Sequence, residues 1–570
     1  MFSPQTKETL SRTVKRKIPR WGWPFLLIVG IGLIAYANTF SVPFYFDDLS
    51  CIVENPVVHD LSNLRHLGDY WQLGIAEDIR NNIVTRFVTY LTFAANYKLH
   101  GLEVGGYHLV NLLLHLANAL LFYHLVRLTR NSVPVQADQS DNLALIVALL
   151  FVAHPIQTTA VTYILQRFAV LATFFVLVTL CTYVLSVRAS APGWRKGWYA
   201  VALIATVLAM YTKEIAFTLP LLVALFDWTF LPGELRQRLR RLAPFFATML
   251  LLPLTVMTLA SVSEVTSQSS TNALDLVNLG HGSRWSYLFS QWPVIITYLR
   301  LLLFPAGLRL EYDVPRYTSL FEPAVLTSGL LLTTLLSLGL WLLYRSRVDT
   351  AAAASRRTIG FGVVWFFITL AMESSFIPLD DLLFEYRLYL PSCGFILALT
   401  AGADLLRQRL VLQAELVKIT VACLILVLTT ATILRNRTWQ DEIVFWQDNV
   451  SKSPNPARPR CNLAYLYREQ GDLSRAIAEL EIAGRLNPDY WPPFEMLGDL
   501  RWNVGLYTQA AKDYEEALRR GNRSRGLLLK LGRAQRRSGN PEGARAALTA
   551  ILAINPNDAE VLAELRDIPR

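Results

Sequence analysis

Long apolar runs, with neither strand-like alternation nor a one-sided helical stripe, dominate the first 435 residues. They fall near 21–40, 107–126, 143–153, 168–187, 197–212, 216–231, 242–262, 320–344, 359–372, 388–406 and 415–434, separated by short polar stretches. A helix of about 20 apolar residues crosses about 30 Å of hydrocarbon, and a helix satisfies its own backbone there. The pattern predicts an all-α, multi-pass membrane protein of about eleven transmembrane helices. Residues 285–303 also read as apolar but carry Gln291, Pro293 and Arg300, so they are expected to be interfacial or re-entrant on the outer face.

After Arg435 the runs stop and a helical repeat begins. Gly471, Gly505 and Gly539 are 34 residues apart, as are Ala476, Ala510 and Ala544, and Leu463, Leu497 and Leu531. That period, with small residues at close helix contacts, is the tetratricopeptide pattern. The expected organisation is a membrane domain over 1–435, with outer loops at 41–106 and 263–319, a linker over 436–454 and three repeats over 455–570. Such a stack offers a concave surface suited to extended polypeptide. Dimerisation or folding is the blander use.

Composition agrees with this division. Hydrophobic residues make up 53% of the chain and charged residues 17%, which excludes a disordered, collagenous or small secreted protein. The net charge of +10 belongs largely to loop Lys and Arg. Nucleic acid is therefore not the expected partner. Placing Arg127/Arg130, Arg188/Arg195/Lys196, Arg236–Arg241, Arg345–Arg357 and Arg407/Arg409 on the cytoplasmic side follows the positive-inside rule, as does the basic amino-terminal stretch Lys7–Arg20. With 285–303 not crossing, the repeats lie outside. Five cysteines show no metal or disulfide spacing.

This topology gathers 41–106, 154–167, 213–215, 263–319 and 373–387 on the outer side. These segments carry Asp47, Asp48, Arg86, His154, Arg167, Lys213, Glu214, Arg309, Glu385 and Arg387. Ionisable residues at membrane borders are costly and tend to mark function. Adjacent carboxylates in Phe44-Tyr45-Phe46-Asp47-Asp48 raise each other's pKa and suit a general base, although a turn or cap would use them too. Arg167 and Arg387 are the first phosphate candidates, because a planar guanidinium matches an anion's oxygens. Arg86 and Lys213 come after them, and Lys213–Glu214 reads as a neutralising pair unless the cations face one vestibule. His108, Asn111 and His115 share one helix face, which fits either a polar site or a helix contact. No P-loop, GxGxxG, GxSxG, HExxH or kinase motif occurs.

The series PFYFDD, NYKLHGLEVGGYHLVNLLLH, LFVAHPIQTTAVTYILQR, YTKEIAFTLPLLVALFDW, LLFPAGLRLEYD and FEYRLYLPSCGF, followed by the repeats, resembles the transmembrane and tetratricopeptide-repeat O-mannosyltransferases of the GT-C superfamily. The resemblance implies an eleven-span GT-C core and a polyprenyl- or dolichyl-phosphate sugar as donor. It maps the family's acidic pair onto Asp47 and Asp48. It carries over Gln166/Arg167, Lys213/Glu214 and Glu385/Arg387/Tyr389/Pro391. Separately from the resemblance, His108 and His154 are further donor-binding candidates. Two positions depart: Thr85-Arg86-Phe87-Val88 stands where Tyr-Arg-Pro-Leu is usual, and Tyr386 where the family has histidine. Three repeats and short loops suggest a bacterial homologue in the inner membrane, its site and repeats periplasmic (lumenal in the endoplasmic reticulum if eukaryotic).

The expected activity is transfer of a sugar, mannose on the resemblance, from a lipid phosphate to Ser/Thr hydroxyls on the outer face, with inversion. Asp47, with Asp48 as the alternative, would be the base, and Arg167 and Arg387, followed by Lys213 and Arg86, would hold the phosphate. No metal or cofactor beyond the lipid-linked sugar is expected. Partners are that lipid, membrane lipids and a polypeptide held by the repeats. A lipid or polysaccharide acceptor is the first rival, and a non-enzymatic membrane-anchored scaffold the second.

Overall fold

A computed structural model describes residues 22–69, 73–130, 137–266, 284–346 and 351–568. The basic amino-terminal stretch and positions 267–283 of the long outer loop lie outside these. Among the described residues every regular element is a helix. A helix covers each of the eleven expected spans. Six are long and apolar enough to cross a membrane alone, and the pair Asn142–Ala153 and Pro155–Val161, bent by 50°, makes a seventh. The other four are short or diluted. Gly22–Tyr36 has 15 residues, Leu219–Phe230 has 12, and Pro192–Met210 and Ala351–Leu370 each carry two cations near their amino ends.

Without a strong hydrophobic drive between helices in lipid, close approach depends on small residues. Helices Ala351–Leu370 and Tyr389–Leu410 meet at Gly362 and Gly394, where a Cβ on either would collide with the other's carbonyl oxygen. Around this contact the membrane core is filled by Phe122, Phe151, Tyr183, Phe226, Trp365 and Tyr389. Away from the site, fully buried Asp227 accepts from the Tyr183 hydroxyl at 2.5 Å and pairs with Arg238 and Arg241 at 2.6 and 2.5 Å. Part of the basic 236–241 cluster is thus spent on folding.

Residues Arg284–Leu303 form one helix, and both of its ends touch the same side of the molecule. Near its start Ser286 donates to Tyr317 O and the Tyr287 hydroxyl to Glu373 O. Near its end Leu302 O meets His154. Those partners sit in the 154–167, 304–322 and 371–387 segments, so both ends of the helix are tied to the same group of loops.

The repeat region forms three helix pairs, Ala457–Glu469 with Leu473–Leu486, Pro492–Asn503 with Tyr507–Arg519, and Arg525–Arg537 with Pro541–Leu552, closed by Ala559–Arg566. The glycines that set the period share one left-handed conformation, with φ of 79°, 80° and 82°, which ends the first helix of each pair. Ala476, Ala510 and Ala544 are fully buried where the helices meet.

The expected linker at 436–454 is instead packed structure. Asp441 caps a helix, Glu442–Lys452, and Trp439, Phe445 and Trp446 are buried. Their rings close a stack with Tyr45, the Trp439–Phe445 centroids lying 4.4 Å apart. One apolar cluster therefore runs from Tyr45 and Tyr163 through Phe445 to Ala464 and Leu480 of the first repeat. Burying three large aromatics is what turns a tether into a rigid joint.

Candidate functional site

Bonds from loop to loop bring the five expected outer segments together. Asp48 Oδ1 accepts from Leu165 N at 2.8 Å, Arg86 Nε donates to Glu214 at 2.9 Å, Lys213 Nζ meets Glu373 at 2.8 Å, and Arg309 N donates to Glu385 at 2.6 Å.

The acidic pair splits into two unlike residues. Asp48 is 1% exposed, and its oxygens accept from the backbone N–H groups of Tyr45 and Leu165. Burial pushes its carboxyl well above the usual range while those two bonds oppose the shift. It is a staple between the first loop and the Ile164–Gln166 turn. Asp47 opens to solvent, yet the protein crowding around it raises its carboxyl to about 6, against the pull of Arg458 and Tyr163. Its backbone N–H donates to the Tyr163 hydroxyl at 3.2 Å. The residue before it, Phe46, is held at φ +48°, a costly conformation for a bulky side chain. Asp48→Ala would leave two buried N–H groups without acceptors, at about 1–3 kcal/mol each. The expected result is a clear fall in the thermal midpoint of the solubilised protein, with Asp48→Asn, which keeps one acceptor oxygen, falling less.

Arg86, Lys213 and Arg387 form a cation cluster. Arg86 ends the helix Glu77–Thr85 and binds Glu214 through Nε alone, with its guanidinium carbon 5.0 Å from the Phe168 ring centre. Burial works against both charges, but their mutual attraction holds Arg86 above and Glu214 below the ordinary value. Burial lowers the Lys213 ammonium, with Glu373 opposing it. Arg387 is 4% exposed and donates from Nη1 to the carbonyls of Asp381 and Leu382. Among the described residues no carboxylate forms an ion pair with it. Three cations against two carboxylates leave one uncompensated positive charge. Glu373 Oε2 and Ser374 Oγ are buried there with no hydrogen-bond partner among the described residues, and such groups call for an explanation.

Tyr386 joins the two halves. Lys213 Nζ lies 4.9 Å from its ring centre, and its phenol is within electrostatic reach of Asp47, Arg387, Glu373 and Arg86. The sequence marked this position only by its missing histidine. Tyr163 lies inside the series LFVAHPIQTTAVTYILQR without standing out there, and Arg458 sits in no motif that marks it.

Other candidates lie elsewhere. Arg167 is fully buried and occupied by Asn111, Asn96, Thr92 and Tyr107 O, at 2.7–3.2 Å. It ties together three segments and is not poised to take a phosphate. Glu385 is equally committed, accepting from Thr159, Arg309 N and Tyr312, each at 2.6 Å. His108 meets Val42 O at 2.8 Å. His154 meets Leu302 O and caps Ile156 N. The Tyr389 hydroxyl meets His115 and Asn118 inside the bundle. The polar face of His108, Asn111 and His115 thus serves helix contacts.

Comparison with known proteins bears on this arrangement. Residues 457–490 and 495–559 match family models described as tetratricopeptide repeat. Over 86% of the chain, human Protein O-mannosyl-transferase TMTC3 is 26% identical and Drosophila melanogaster Protein O-mannosyl-transferase Tmtc3 25% identical. The chain is similar to these proteins over most of its length. It spans little more than half their length, 54% and 58%. Among solved structures, that of ArnT from Cupriavidus metallidurans bound to undecaprenyl phosphate aligns with a TM-score of 0.39 and 15% identity, over 87% of this chain and 80% of that one.

Proposed function

We propose that this protein is a membrane glycosyltransferase with a GT-C core that moves a sugar, mannose by analogy with its relatives' names, from a polyprenyl-phosphate donor to Ser/Thr hydroxyls of polypeptides. Asp47 carries this reading. It is the open carboxylate of the acidic pair, and it lies across Tyr386 from a cluster with surplus positive charge. A base must reach the nucleophile's proton, and a leaving phosphate needs fixed cations where its charge develops. Asp47 takes the hydroxyl proton as the oxygen attacks the anomeric carbon, and one displacement inverts that centre. Arg387, Lys213 and Arg86 hold the departing phosphate, so no divalent ion is required. The site and the repeats share one side, here assigned to the periplasm or lumen.

Full-length protein in liposomes, given radiolabelled polyprenyl-phosphate mannose and a Ser/Thr-rich peptide, should add one hexose per modified hydroxyl. With the Asp47 carboxyl near 6, its ionised, proton-accepting form grows as pH rises through that value. Turnover should climb between about pH 5 and 7 and then level off. Label entering glycolipid or polysaccharide, and none entering peptide, would favour the acceptor-side rival.

A further inference from the structure

The first repeat reaches into the site through Arg458, the second residue of helix Ala457–Glu469. Its Nε donates to Glu311 at 2.8 Å and its Nη2 to Asp381 at 2.6 Å. Its guanidinium carbon lies 5.2 Å from the ring centre of Phe46, the strained residue directly before Asp47. One fork thus joins the 304–322 segment, the 371–384 segment and the Asp47 loop. Neighbouring bonds repeat the attachment. Asn449 Oδ1 accepts from Leu310 N, Lys452 Nζ donates to Leu308 O, and Asn455 Nδ2 donates to Asp313. The charged fork thus sits against a residue whose backbone is held at φ +48°, directly before the open carboxylate.

We propose that Arg458 is a positioning residue, fixing the Phe46–Asp47 backbone against the two flanking loops so that the first repeat completes the reaction centre. This rests on Asp47 acting as the base. Asp47 is faced by Arg458, Asp381, Asp78 and Tyr163, with Asp48, Cys51 and Tyr386 also near. Arg458 is the cation of that set. Lys can restore the charge but cannot bridge two carboxylates with a planar fork.

The test uses full-length wild type, Arg458→Gln and Arg458→Lys in detergent, with two readouts. One is carbodiimide labelling of Asp47 against pH, followed by peptide mass spectrometry, which reports the protonated carboxyl without any turnover. The other is kcat and donor KM across pH. In Arg458→Gln the labelling midpoint and the acid limb should both rise by about half a pH unit, about threefold in proton affinity. Turnover should fall about tenfold or more, with donor KM within about twofold, because the donor cations are untouched. Arg458→Lys should return the midpoint to wild type but recover turnover only in part. Wild-type turnover in Arg458→Lys, or an unmoved midpoint in a folded Arg458→Gln, overturns the proposal. Should Arg458→Gln not fold, the Lys variant alone decides through its turnover. If wild type transfers no sugar, the functional reading fails by itself, and the labelling midpoints still show whether Arg458 governs Asp47.

Discussion

Asp47→Asn is expected to lower sugar transfer by about 10²–10⁴, the usual cost of removing a positioned general base, with expression and donor binding close to wild type. Asparagine is nearly isosteric. The backbone N–H that meets Tyr163 is unaffected, and the side-chain oxygen can still accept from the phenol. What the amide cannot do is take a proton. Because Asp47 is open to solvent, the change orphans no buried donor, so any lost rate cannot be blamed on unfolding. Initial rates with saturating peptide, beside equilibrium binding of labelled donor, separate the two effects. A variant within about threefold of wild type would remove the base from this loop. Asp48 must behave differently, failing first in stability, because both of its oxygens are occupied by backbone N–H groups.

The multi-pass helical character, the repeats and the gathering of five loops were legible in the chain, since each depends on local apolar length, a fixed period or the sum of loop charges. Of the eleven expected spans, six or, with the bent pair, seven are long and apolar enough to cross. The roles of single polar residues were not legible. Charge at a membrane border is costly whether a cation waits for a ligand or is already satisfied, and Arg167 and Arg387 look alike on that criterion. They differ through partners distant in sequence. Arg167 is satisfied by amide and hydroxyl oxygens 56 to 75 residues away, whereas Arg387 donates to the nearby Asp381 and Leu382 carbonyls and lies beside the Phe384 ring and the Tyr287 phenol. Polar but uncharged Asn96, Asn111 and Thr92 leave no trace in a charge pattern. The linker failed for a related reason. Residues 436–454 read as polar punctuation until Trp439 and Phe445 find Tyr45 and Trp446 finds Phe46, almost 400 residues earlier. Tyr386 could have been noticed as a substitution of one proton-bearing side chain for another, but its placement between Asp47 and the cations needed the fold.

Arg387→Gln is expected to reduce kcat/KM for the lipid donor by about 10²–10³, the loss seen when one preorganised group facing developing charge is removed. Within the cluster Arg387 is the cation without a carboxylate, and its removal leaves Arg86 with Glu214 and Lys213 with Glu373, a site with no surplus charge for an anion. Arg86→Gln should cost less in comparison, because the freed Glu214 can be protonated, which leaves the cluster its surplus positive charge. Arg387→Lys is the sharper variant. It preserves the charge but not the planar fork, and a compact ammonium is costlier to desolvate than a guanidinium, so turnover should stay well below wild type if the phosphate is held by two parallel bonds. Arg387 also steadies the Asp381 and Leu382 carbonyls, and the thermal midpoint of each variant therefore has to be measured beside its kinetics. A glutamine variant with an unchanged midpoint and a weakened donor KM places the phosphate on Arg387. One with a lowered midpoint and an unchanged donor KM makes this arginine a clamp on the 381–384 loop, and the phosphate passes to Lys213 and Arg86.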